Sequence, residues 1–220
     1  MLFRSDDLAV RFMENGWSLK WLHREIVTSD AYQRSSHADP KSLATDPDNK
    51  LLSHMPRRRL SVEQWRDSVL AAAGSLDCSA VGGKSLDPLD SKQSRRTVYS
   101  FVHRLELNKL LAMFDFPDPN ATADRRVETT TPLQKMFVLN SPFMVSRADA
   151  LVERLKQDVP GDGEKVNAKR IERAYLLLYS RPATSEEVAL GQSFLGKDAK
   201  GRWPRYAHAL LAANEMMFVD

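Results

Sequence analysis

At 220 residues and 24.9 kDa the chain is long enough for one large domain or two small ones, with a core that needs no staples. An apolar fraction of 42% beside 28% charged residues excludes a disordered chain. A net charge of +3 is too weak to imply nucleic acid by itself. The single cysteine, Cys78, excludes an intrachain disulfide, a CxxC pair and a c-type haem attached covalently to this chain. No apolar run reaches the ~18 residues of a membrane span, and "MLFRSDDLAV" lacks a signal-peptide apolar region, so a soluble chain with no visible address is expected.

In chain order, Ser5 and Gly16 bracket a first helix over 6–15. Phe3, Leu8, Phe12 and Met13 form an apolar set on it that is expected to be partly exposed. Ser18 caps a second helix, with Trp17 and Leu22 as a hydrophobic staple and Leu19, Leu22 and Ile26 on the core face. His23 points elsewhere and reads as solvated. Asp46-Pro47 predicts a short helix through Leu51 and Leu52 that stops near Pro56. Ser61 to Gln64 is a capping box with a Leu60–Trp65 staple; Val62, Trp65, Val69, Ala72 and Ala73 line the face that follows, up to Gly74. Residues 76–95 are rich in Gly, Ser and Asp and read as a mobile loop. "TVYSFVHR", 97–104, has strand-type composition without a strand partner, so an extended segment and a buried helix both stay open.

The second half repeats this grammar. Asp115 closes a short helix. Thr131 to Gln134 is another capping box, with Pro132 in the first turn and Leu133, Met136 and Phe137 as the apolar face. Ser141-Pro142 opens a helix with Met144, Ala148, Leu151 and Leu155 facing the core. "DVPGDGEK", 158–165, is the best boundary, giving a helical domain over 1–157 and a C-terminal helical subdomain over 166–220 packed on it, or one domain in all. Residues 168–179 are helical, Thr184 to Glu187 is a third box leading to Gly196, and Trp203, Tyr206, Ala207, Leu210, Leu211 and Asn214 mark a last amphipathic helix. The fold class is therefore all-α: an irregular domain of roughly eight short helices with long loops, in which 97–104 is the one stretch left open to being extended.

Chemical motifs are sparse. No P-loop, GxGxxG, HExxH, GxSxG or EF-hand pattern occurs, and the five histidines have no metal-ligand spacing. No metal site is assigned. The arginine clusters 57–59, 95–96 and 125–126 read either as an anion or nucleic-acid patch or as partners of carboxylates and helix C-termini; the second reading is preferred. The most distinctive turn is "FDFPDPNATADRR", 114–126. Its carboxylates lack the spacing of a calcium loop, and it reads as an Asp-Pro-Asn turn that bonds its own backbone and the nearby arginines. No catalytic residue is assigned; Asp115, Asp118, Arg126 and Gln134 are the weak candidates.

"ENGWSLKWLHREIVTSDAYQRSS", "DPDNKLL", "RRRLSVEQWRDSVLAAAG", "RRTVYSFVHR", "FDFPDPN", "TTTPLQKMFVLNSPF" and "LLAANEMMFVD" follow one another in this order. Together they resemble the planctomycete-specific domain of unknown function found C-terminal to planctomycete cytochrome-type domains, over nearly the whole chain. The resemblance implies a C-terminal portion of that domain within a large, exported, multi-domain protein. Any c-type haem would belong to an upstream domain, so no cofactor is expected here, and no activity is implied. Two functions remain. One is a non-catalytic helical module that supports or docks a redox or polymer-handling partner domain. The other is part of an enzyme, a hydrolase or a haem-linked oxidoreductase, using the 114–126 turn. Nucleic-acid binding is the weakest reading. A pocket lined jointly by Asp115, Arg126 and Gln134 would mark the enzyme, and a filled core at those positions the module.

Overall fold

The computed structural model describes residues 3–79 and 81–219, and the backbone alone at Phe3, Arg4 and Lys197. Among these, ten α-helices and one ladder of two-residue strands, β1 (Arg58–Arg59) and β2 (Phe218–Val219), make up the regular structure, in line with the all-α expectation. The chain falls into two compact units, Met1–Arg58 with Asp220, and Arg59–Val219. The 158–165 turn lies inside the second unit. No helix of the described residues is long and apolar enough to cross a membrane.

The first unit holds α1 (Phe3–Glu14), α2 (Leu19–Val27) and α3 (Pro40–Thr45). Helix α1 starts before Ser5, so that serine is helical and not the cap. Gly16 and Trp17 both take left-handed backbone angles at the corner. Ser18 caps α2 as expected, accepting from the Trp21 N–H at 3.2 Å. The staple is not buried, because Trp17 sets its ring edge-on to Phe12 and stays 65% exposed. Leu19 and Ile26 are exposed too, and no residue of α2 is buried. Met13 is exposed, as its place in the apolar set of α1 suggested, whereas Phe3's side chain lies outside the described residues. Arg11 joins α1 to α2 through Glu25 and lies over the Trp21 ring.

The helix expected after Asp46-Pro47 is absent. The Asp46 carboxylate instead accepts from the N–H groups of Lys50 and Leu51, which closes a turn. The same Asp-Pro signal starts α3 seven residues earlier, at Asp39-Pro40.

The second unit carries the core. Its helices are α4 (Val62–Ala72), α5 (Lys109–Met113), α6 (Pro132–Asn140), α7 (Pro142–Asp158), α8 (Glu164–Tyr179), α9 (Ser185–Leu195) and α10 (Ala199–Leu211). The boxes at Ser61, Thr131 and Thr184 all form, each with reciprocal bonds between cap and third residue. Trp65 stacks on Phe114 at 4.9 Å and meets Phe137 edge-on. Met144, Ala148, Leu151 and Leu155 of α7 are buried as expected and pack with Ala207 and Leu211 of α10 in one core. Arg154 reaches back from α7 to accept the role of C-terminal cap for α4, donating to the carbonyls of Ala71 and Ala72. Gly191 lets α9 approach closely: a Cβ there would stand 2.5 Å from Tyr206 Oη and 2.7 Å from Ile171 Cδ1.

Residues 76–95 are tied down mainly by one side chain of α4, with further bonds from Arg147 to the Ser91 carbonyl and from Asn108 to Asp87. Arg66, on α4, is fully buried (0% exposed) and donates to the carbonyls of Pro88, Gln93 and Arg95 and to Thr97 Oγ1, at 2.9–3.2 Å. Its guanidinium also faces the Phe143 ring at 5.3 Å. The stretch 97–104 is neither a full strand nor a buried helix. It opens with a single 3₁₀ turn, Thr97–Tyr99, and continues as an extended piece bridged from Ser100 to Leu86.

A second polar knot closes the helix pair α8–α9. Arg181 donates to both oxygens of Glu187 and both of Glu215, and lies over the rings of Tyr175 and Tyr179. These hydrogen bonds pull the Glu187 carboxyl down to about 2. The folded value is below the unfolded one of about 4.3, so the stabilisation is complete above that pH and fades as pH falls towards 2. Both side chains keep over a quarter of their surface in water, which screens the pair to about 1 kcal/mol. Arg181→Gln should therefore flatten the stability profile between about pH 4.5 and 2, measured by urea titration across that range; an unchanged acid limb would refute the assignment.

Candidate functional site

The 114–126 turn sits between α5 and α6, and its backbone geometry explains why it is ordered. Helix α5 ends at Met113 with Phe114 as its cap, and Asp115 then takes a positive φ of 61°, which turns its carboxylate back towards the segment that precedes α6. There Oδ1 accepts from the Thr129 hydroxyl at 2.7 Å and Oδ2 accepts from the Thr129 N–H at 2.9 Å and from Gln134 Nε2 at 3.3 Å. Arg59 Nη1 lies 3.6 Å from the same Oδ2, and both side chains are largely enclosed.

Gln134 completes the node. It is 2% exposed, donates to the Met113 carbonyl and accepts from Arg59 Nη2 at 2.9 Å and from the Thr131 N–H. Arg59 also donates to the Thr129 carbonyl. One glutamine thus serves as half of the capping box and as the centre of a buried network. This overturns the expected face of α6: Gln134 and Val138 are buried, while Leu133 is 64% exposed and Met136 is exposed beside it. Phe137 does pack on the core.

The other two candidates lie apart from this node. Arg126 is bidentate to Glu63 at 2.6 and 2.8 Å and covers the Phe116 ring. The Glu63 carboxyl is lowered despite the opposing effect of its burial, because Arg126 and backbone donors hold the charged form. Asp118 Oδ1 accepts from the Asn120 N–H and side-chain amide, a local Asx turn on the surface. A cavity of about 260 Å³ is lined by Asp115, Asp118, Arg125 and Arg126 among others, but not by Gln134. The described residues contain no group of three or more His, Cys, Asp or Glu side chains placed to hold a metal ion.

At least four of the seven clustered arginines are engaged within the fold. Arg59 and Arg126 are committed as described, Arg95 donates to the carbonyls of Lys84 and Gly82 and stacks on Tyr99, and Arg96 lies 3.9 Å from Asp67. The sequence did not single out Arg66 or Arg170, the two most deeply buried cations among the described residues. Their acceptors are mainly backbone carbonyls, which leave no mark in the sequence.

Asp115→Ala should lower stability by about 1–3 kcal/mol, because it strands the Thr129 and Gln134 donors inside. Calcium should not restore it. Asp118→Ala, which frees only an exposed amide, should cost about 0.5 kcal/mol or less. Melting curves with and without calcium decide this, and a calcium-dependent rise in Tm would overturn it.

What these geometries define is an all-helical domain stitched by buried side-chain-to-backbone networks. The chain belongs to the PSD1 family, proteins of unknown function (DUF1553), whose model matches residues 5–195. Neither a curated protein nor a solved structure matches it.

Proposed function

We propose that the chain is a non-catalytic helical module that supports or docks a redox or polymer-handling partner domain of an exported, planctomycete-type multi-domain protein. One observation carries the reading: both oxygens of Asp115 and the whole amide of Gln134 are consumed in holding three chain segments together. A general acid or base needs an oxygen poised for substrate, and both Asp115 oxygens are already engaged by the donors of Thr129 and Gln134. The exposed apolar side chains of α6, Leu133, Met136 and Leu139, offer contact area of the kind a docking module uses.

The test has two arms. The intact chain, offered ester, phosphoester and glycoside substrates, should show no turnover above blank. Turnover abolished by Asp115→Asn at unchanged Tm would establish the enzyme instead. The parent protein's cytochrome-type domain, added in trans, should raise Tm with its concentration; an unmoved Tm would reject the docking role.

A further inference from the structure

Four helix ends converge on a cavity of about 580 Å³ in the second unit: the ends of α7 and α9 and the starts of α8 and α10. Arg170 lines it while being only 6% exposed. Its Nε donates to the Val159 carbonyl at 3.0 Å and its Nη2 to the Gly161 carbonyl at 2.7 Å. Among the described residues Nη1 has no partner, and no carboxylate lies within 4.0 Å of the guanidinium. Arg66 has a bond from every guanidinium nitrogen, whereas Arg170 keeps one nitrogen of its fork for a group in the cavity, and a charge-assisted bond to an anion is the strongest it can make there.

The surroundings supply further donors. Gly163, at φ 106°, precedes α8 without a side-chain cap, and the helix ladder starts only with the Asn167 N–H on the Gly163 carbonyl. The N–H groups of the first turn and the positive end of a 16-residue helix therefore open at the cavity. Asn167 Oδ1 accepts from Trp203 Nε1 at 3.0 Å, which orients the amide and leaves Nδ2 as its donor. Lys200 lines the cavity with no partner among the described residues, whereas Lys156 is paired with Glu153. Asp162 and Glu164 also line it, which disfavours a highly charged polyanion.

We propose that this cavity is a binding site for a small oxyanion group, a carboxylate or a monoester phosphate, received by Arg170, the first turn of α8, Asn167 and Lys200, with Trp203 packed beside it. Its function is independent of the docking role above. The test is a ¹⁵N–¹H NMR titration of the intact chain with acetate and, separately, inorganic phosphate. Saturable shifts are expected at the amides of residues 164–166 and at the Trp203 indole N–H. Lys200→Glu, on the surface and outside the core, should weaken the response about tenfold, or 1.4 kcal/mol. Arg170→Lys, which keeps the charge but loses the fork, should weaken it as well; should that variant fail to fold, the lysine variant alone decides. A response to both probes assigns a carboxylate-sized group, and a response to phosphate alone a phosphate group. No saturable shift with either, or shifts indifferent to Lys200→Glu, would overturn the proposal.

Discussion

A chain ending at Leu195 should show no cooperative melting transition. The family match stops at that residue, but the core does not. Helix α10 and the short turn after it place Trp203, Tyr206, Leu210, Leu211, Met216 and Met217 among the buried residues. Fully burying a large apolar side chain is worth about 1.5–3 kcal/mol, so six of them reach the order of 10 kcal/mol, comparable with the ~5–15 kcal/mol that holds a whole domain. The cut also removes Glu215 from Arg181, the Leu210 carbonyl that accepts from Tyr179 Oη, and the Met217 carbonyl that accepts from the Leu60 N–H. Circular dichroism on heating and dye binding to exposed apolar surface would report it. A sharp transition in the 1–195 chain would place the folding unit within the matched segment.

Arg66→Ala should be the most damaging single replacement, at about 3–5 kcal/mol. It leaves three carbonyls and the Thr97 hydroxyl without their donor in a site closed to water. Arg66→Lys should rescue little, since one ammonium cannot reach the four acceptors that a planar fork spans. The loss should also be local in its signature. The Leu86 N–H, bonded to the Tyr99 carbonyl, and the Phe101 N–H, bonded to the Leu86 carbonyl, should exchange faster with solvent in the lysine variant. A drop below about 1 kcal/mol, or unchanged exchange at these two amides, would show that the 76–95 segment is held by something else.

The parts of this structure that the sequence announces are the local ones. A capping box is closed within four residues, so Ser61, Thr131 and Thr184 were readable and all formed. Local signals fail when two copies compete: Asp39-Pro40 and Asp46-Pro47 look alike, and only the first starts a helix, because Asp46 bonds to the next turn instead. The rotation of α6 was illegible for a different reason. It is set by Arg59, 75 residues away in sequence from Gln134, and by a carbonyl of α5. Asp115 was singled out for its surroundings in the sequence, yet what it does depends on Thr129, whose role no motif records.

The first unit has no buried core of its own among the described residues. Among its described side chains, residues 5–58, none is buried. Its helices have 12, 9 and 6 residues, at or below the ~12–15 at which an isolated helix becomes marginal in water. The slope of a denaturant titration scales with the surface uncovered on unfolding, and here that surface belongs almost wholly to Arg59–Val219. The heat capacity of unfolding is therefore expected to come mainly from Arg59–Val219, with the first unit adding less than its share of the chain's mass.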